Sequence, residues 1–204
     1  MTNNFVSDAR QAGKTLARLA EVDAASLPLL ATDELAGLLS AVAALPFRTG
    51  RHKISSGAAQ VRQDFDICMA PPKPGVLWNL AARLEAYLAD ALGSVQPPPL
   101  VEPLLLNDLV VQRYPSGSFG ITAHRDHVRY TGLVALILLS GNGRFFVSKT
   151  RSGKGEREIP WCPGELLLMR TLGFAGREDR PFHYLSDITS ERYSLGLRHD
   201  TQRG

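Results

Sequence analysis

Cysteine is scarce: the 204-residue chain carries two, Cys68 and Cys162. Two thiols cannot build the disulfide framework of a small secreted domain or a thiolate zinc site, so they read as reduced, partly buried side chains. Also missing is any apolar run of the roughly 18 residues that a membrane span needs. The longest, Leu133 to Leu139, has the length of a buried strand. The opening MTNNFVSDAR is polar and has no stretch of signal-peptide type. No membrane partner and a cytoplasmic location are therefore expected. Neither sign of charge dominates: the net charge of +3 neither demands nor excludes an anionic partner. Internal repeats and low-complexity tracts are absent. What is present is a 44% hydrophobic fraction, enough for a sizeable core, in a length that suggests one domain.

The first half reads as helical. Apolar spacing predicts helices over Phe5 to Val22, after Thr32 as N-cap with Asp33 and Glu34 in the first turn, and over Leu77 to Leu92 with Gly93 as C-cap. Pro28 falls in a break, and Pro97-Pro98-Pro99 make a stiff connector. Between them, Thr49 to Pro74 is irregular, rich in Gly and Pro, and carries a short strand in Ala59 to Cys68. It is either a candidate lid or an ordinary surface loop with solvated charges.

After Pro99 the texture changes to about eight short strands with Gly- and Pro-rich turns. They run over Leu104–Tyr114, Ile121–His124, Tyr130–Leu139, Arg144–Lys149, Arg157–Pro160, Glu165–Arg170, His183–Ile188 and Arg192–His199, with Gly141-Asn142-Gly143 as a hairpin turn. The expected fold is mainly β with flanking α: a double-stranded β-helix, the cupin-like jelly roll, braced by N-terminal helices. The division is a single domain over 1–204, with a helical extension over 1–99 (lid at 49–74) and the β core over 100–200.

Two stretches carry chemistry. His124 and Asp126 are two residues apart, and on an extended segment they point to the same side. An imidazole and a carboxylate so placed are two corners of a metal site, and a 2-His-1-carboxylate face suits non-haem Fe(II). Of the remaining histidines, His183 fits best as the third ligand, because it opens a later strand. His127 would point away from Asp126, His52 lies in the irregular segment, and His199 lies beyond the last strand arginine. In the final strand, Arg192, Ser194, Gly196 and Arg198 alternate with Tyr193, Leu195 and Leu197. Two arginines facing a barrel interior need anions. A dicarboxylate co-substrate would serve through bidentate pairing; alternatively one arginine pairs with an Asp or Glu and the other reaches solvent.

Together, Gln112-x-Tyr114, Gly117, His124-x-Asp126, Gly164-Glu165-Leu166, Arg180 with His183, and Arg192-x-Ser194-Leu195-x-x-Arg198 resemble the Fe(II)/2-oxoglutarate-dependent dioxygenases, most closely the AlkB-like branch. The resemblance spans about Leu104 to His199. It implies an oxidoreductase that hydroxylates or oxidatively demethylates a C–H bond, using Fe(II), 2-oxoglutarate and O2 and releasing succinate and CO2. It implies that His124, Asp126 and His183 bind iron. Arg192, helped by Tyr114 and Ser194, would hold the distal carboxylate of 2-oxoglutarate. Arg198 would lie near the chelating end or the substrate. Gln112 stands where the family has Asn.

Arg180 either tunes the surroundings of the distal His or pairs with Glu178 or Asp179. Arg125 and Arg129 are candidate contacts to a small anionic substrate. The preferred substrate is a small molecule. A dealkylase of DNA or RNA is the second reading, weakened because the lid holds one non-His aromatic, Phe65, for stacking a flipped base. A non-catalytic cupin-like binding module is the third.

Overall fold

The computed structural model describes residues 5–203. In chain order it contains α1 (Ala9–Val22), β1 (Ala24–Pro28), α2 (Thr32–Ala43), β2 (Arg48–Thr49), β3 (Lys53–Ile54), β4 (Val61–Arg62), β5 (Asp66–Cys68) and α3 (Val76–Gly93). Then come β6 (Asp108–Tyr114), β7 (Ile121–His124), β8 (Tyr130–Ser140), β9 (Arg144–Ser148), β10 (Arg157–Ile159), β11 (Glu165–Arg170), β12 (Phe182–Ser186) and β13 (Arg192–Asp200). All eight strands expected after Pro99 form.

Helix ends depart slightly from expectation. Asp8 caps α1 by accepting the Gln11 N–H at 2.7 Å, which delays the start beyond Phe5. Ala31, not Thr32, occupies the cap position of α2, and Ser94 follows Gly93 as the cap of α3. Neither N-cap, Ala31 of α2 or Gly75 of α3, supplies a side-chain bond to the N-terminal orphan donors.

The strands make two facing antiparallel sheets, ordered β1-β11-β8-β13-β6-β5-β2 and β10-β9-β12-β7, with β3-β4 as a separate ribbon. Alternation divides the larger sheet into two chemically different faces. Leu133, Ala135, Ile137, Leu139, Leu166, Leu168, Leu195 and Leu197 point outward and share one core with Leu16 and Leu19 of α1 and Leu80, Leu84 and Leu88 of α3. Val134, Leu167 and Met169 point inward and meet Phe145, Val147 and Leu185 of the smaller sheet. Both faces of β8 and β11 are covered, which is why Leu133 to Leu139 is an unbroken apolar run.

Two features were not legible as expected. The Ala24–Pro28 segment is an edge strand pairing with β11, Pro28 opposite Glu165, where the proline suggested only a break. An edge strand tolerates proline because one row of its backbone groups needs no partner. Gly141-Asn142-Gly143 is not a hairpin: β8 belongs to the larger sheet and β9 to the smaller, so the turn carries the chain across. Gly141 has φ +80°, and a Cβ there would stand 2.4 Å from the Glu191 carbonyl oxygen. The Asn142 side chain accepts from the Thr189 and Ser190 N–H groups at 2.9 and 3.1 Å, tying this turn to the loop before β13. The first 99 residues also supply more than helices, since β1, β2 and β5 extend the larger sheet.

Candidate metal centre and anion pocket

The two histidines are brought together by strand register. His124 ends β7 and His183 lies in β12, and the two are direct partners in the ladder. The register slips between His183 and Leu185, which face His124 and Ile121, so β7 carries a bulge next to the site. Gly120 enters β7 with φ +83°, and a Cβ there would fall 1.9 Å from the Leu185 carbonyl oxygen. Only glycine lets β7 approach β12 this closely.

Asp126 follows in the loop, and one donor atom from each of His124, Asp126 and His183 can lie within 4.8 Å of the others. His183 Nε2 is 4.0 Å from Asp126 Oδ1. The ring centroids of His124 and His183 are 4.2 Å apart.

The protonation states suit a divalent metal. His124 Nδ1 lies 3.0 Å from the Thr122 carbonyl; this carbonyl can only accept, so Nδ1 carries the proton and Nε2 is the free donor. Burial, then the neighbouring His183, lowers the His124 pKa to about 3, which keeps the imidazole neutral. Burial likewise lowers that of His183. Burial alone would raise Asp126, but the surrounding positive charge, Arg198 and Arg180 included, outweighs it and holds the group below the usual carboxylate range. Two neutral imidazoles and a carboxylate form the donor set.

A cavity of about 880 Å³ opens over these residues, between the sheets. The inward side chains of β13, Arg192, Ser194, Gly196 and Arg198, all line it, as the alternation requires. Gln112 and Tyr114 of β6 line it too, opposite Ser194 and Arg192 in register.

Arg192 is fully buried. Its Nε and Nη2 have no hydrogen-bond partner, and no carboxylate lies within ion-pair distance among the described residues. Burial lowers its pKa to about 10, which still leaves it charged at neutral pH. A buried, unpaired guanidinium is costly unless an anion joins it. Its protein supports are neutral: the Trp161 ring, 4.6 Å from Cζ, and the Asn142 backbone carbonyl, which accepts from Nη1 at 3.5 Å. Trp161 in turn meets Phe145 edge-on at 5.8 Å, and Phe145 stacks at 5.9 Å on His183.

The other sequence-derived candidates divide. Arg198 faces the cavity, but its Nε and Nη2 bond to Asp108 at 2.9 and 2.7 Å, so its charge is already answered. Arg180 does not pair with Glu178 or Asp179; Nη1 donates to the Asp126 backbone carbonyl, while Asp179 pairs with Arg170 and Arg177. Arg125 lines the cavity with its guanidinium 4.1 Å over the Phe182 ring. Arg129 does not line the cavity; its guanidinium turns to the Tyr130 hydroxyl at 2.7 Å and to Asp200 at 3.4 Å.

Trp161 and Phe145 escaped sequence reasoning. The setting of Trp161 between Pro160 and Pro163 was the only hint. Arg151 reaches back to donate to the Ala123 carbonyl at 2.6 Å, beside His124. The irregular 49–74 segment walls the opening through residues such as Ile54, Gln63 and Phe65.

No protein-family model and no curated protein matches the chain. Its fold is similar to that of a Trichoplax adhaerens prolyl hydroxylase in complex with a hypoxia-inducible-factor peptide fragment. The TM-score is 0.68 at 13% identity, covering 95% of this chain and 91% of that one. It is similar to a Burkholderia pseudomallei oxidoreductase of the 2OG-Fe(II) oxygenase family, with TM-score 0.65 at 19% identity over 94% and 90%. A Pseudomonas putida prolyl-4-hydroxylase gives 0.64 at 15% identity over 92% and 97%. The fold is therefore the double-stranded β-helix shared with these proteins. At such identities the chemistry rests on the residues themselves.

Proposed function

We propose that this protein is an Fe(II)- and 2-oxoglutarate-dependent dioxygenase that hydroxylates, or oxidatively demethylates, a C–H bond of a small-molecule substrate. Succinate and CO2 would be released. The observation that carries the proposal is the pairing, in one cavity, of a His124–Asp126–His183 donor set with a buried Arg192 that lacks an anion. The donor set fits Fe(II) by type, and the orphaned guanidinium fits a carboxylate. When bound, iron, 2-oxoglutarate and O2 supply the oxidising power for C–H cleavage.

The chain's own residues do the rest. Thr122 fixes the His124 tautomer, and Phe145 packs the His183 ring. Arg192 takes the distal carboxylate of 2-oxoglutarate, with Tyr114 opposite it and Ser194 two residues on in the same strand. Burial of Tyr114 raises its pKa, so its hydroxyl stays protonated and able to donate. The larger sheet, sealed by the helices on its far side, excludes water from this end of the cavity.

The order of motifs supports an AlkB-like placement within the superfamily. A nucleic-acid substrate is the weaker choice, because Phe65 is buried in the wall with its ring packed 5.0 Å from Tyr114 and does not stand out as a platform for a flipped base. No helix of the described residues is long and apolar enough to cross a membrane. Two free thiols, one exposed, and a need for ferrous iron support a reducing cytoplasmic setting.

The test is succinate formation by anaerobically iron-loaded protein given 2-oxoglutarate and O2. Turnover above background, lost in His124→Ala and Arg192→Ala, is expected. Failure to bind either iron or 2-oxoglutarate would overturn the reading in favour of a cupin-like binding module.

A further inference from the structure

The cavity's charged lining is one-sided. Apart from Asp126 and the histidines His124, His127 and His183, every acidic or basic side chain lining it is an arginine. Elsewhere in the molecule arginine is typically matched: Arg83, Arg113, Arg144, Arg170 and Arg177 each have a carboxylate within 4.0 Å. Around the metal centre Arg125, Arg151 and Arg180 have none among the described residues.

They are nevertheless held. The Arg125 and Arg151 guanidiniums lie 4.1 and 5.4 Å from the same Phe182 ring. Arg151 also donates to the Ala123 carbonyl, and Arg180 to that of Asp126. Each is thus tied to a residue at or beside a metal ligand, while a guanidinium's five N–H groups leave donors over.

Charge balance gives these three a purpose. A divalent metal on two neutral imidazoles and Asp126 carries one net positive charge. Adding 2-oxoglutarate and Arg192 brings the sum to zero. The three rim arginines remain as unanswered charge beside the reacting position, and Arg48 and Arg51 add to it at the opening. Like charges so gathered repel one another unless an anion enters. Between them the rim is apolar: Ile54, Met69 and Val128 line the opening and are 44%, 41% and 54% exposed.

Resting on the dioxygenase reading, we propose that the substrate is a small molecule with an apolar body and an oxyanion group, carboxylate or phosphate. Arg125, Arg151 and Arg180 bind the oxyanion; Ile54, Met69 and Val128 take the body. The anion then fixes which C–H bond is presented to the metal centre.

The test uses 3-phenylpropanoate, phenyl phosphate, the neutral 3-phenylpropanamide and a short single-stranded oligonucleotide as probes, with excess 2-oxoglutarate. Binding is read by saturation-transfer NMR with and without Mn(II), and nearness to the metal by Mn(II) broadening of probe protons. One or both anions should bind about tenfold or more tighter than the amide. That preference should vanish in Arg125→Gln/Arg151→Gln and largely return in Arg125→Lys/Arg151→Lys, which also shows that the doubly substituted chain folds. The stronger of the two anions identifies the oxyanion.

Equal binding of acid and amide overturns the proposal, as does an oligonucleotide that outcompetes both anions at the same arginines. If Mn(II) does not bind but the anion preference and its loss in the Gln variant persist, the dioxygenase reading fails while the arginine site stands.

Discussion

The two faces of the larger sheet are built from the same strands and could hardly differ more. On β13 the outward residues Leu195 and Leu197 are sealed against helices, whereas the inward Arg192, Ser194 and Arg198 surround a cavity. The same contrast separates two buried arginines. Arg170, at the end of β11, is 2% exposed and held by Asp23 and Asp179 at 2.5 and 3.0 Å. Arg192, at the start of β13, is more deeply buried and has no acid. Arg170 ties a helix end to a loop and completes the fold. Arg192 has no such partner, and in the proposed reading the distal carboxylate of 2-oxoglutarate supplies one.

This contrast can be broken from either side. Asp126→Ala should have the largest effect, lowering metal affinity by about a hundredfold or more in calorimetric titration with Mn(II), since the two imidazoles alone hold a divalent ion weakly. On the outward face, Leu195→Ala should cost ~2–5 kcal/mol in chemical denaturation by leaving a cavity. The 2-oxoglutarate affinity of the folded fraction should not change. If it does change, the two faces are energetically coupled.

Arg192→Met and Arg170→Met sharpen the comparison. The first should raise the 2-oxoglutarate KM by about a hundredfold without loss of stability, because an unpaired buried charge is removed. The second should cost ~1–3 kcal/mol of stability with KM unchanged, because two carboxylates lose their partner. Equal stability losses in both variants would mean that Arg192 has a partner in solution. Smallest of all, Trp161→Leu removes the ring under Arg192. A fewfold rise in KM with kcat retained is expected, in keeping with one cation–π contact of ~1 kcal/mol.

The sequence by itself determined a good deal. The alternation of Arg192-Tyr193-Ser194-Leu195-Gly196-Leu197-Arg198 assigned each residue to its face, because backbone pleating makes side-chain direction a local, two-residue property. Strand positions after Pro99 followed from the same local signal, although β6 begins at Asp108 rather than Leu104, and His124-x-Asp126 needed only three residues to announce itself.

Tertiary structure alone decided what depends on distant partners. It paired His183 with His124 across a bulge, sent the chain after Gly141 to the other sheet, and made an edge strand of Ala24–Pro28. It answered Arg198 with Asp108, which is 90 positions away, turned Arg129 out to Asp200, and left Arg192 facing Trp161 with no acid. Whether a buried charge is satisfied depends on which residues the fold brings within a few ångströms, and no periodicity along the chain encodes that.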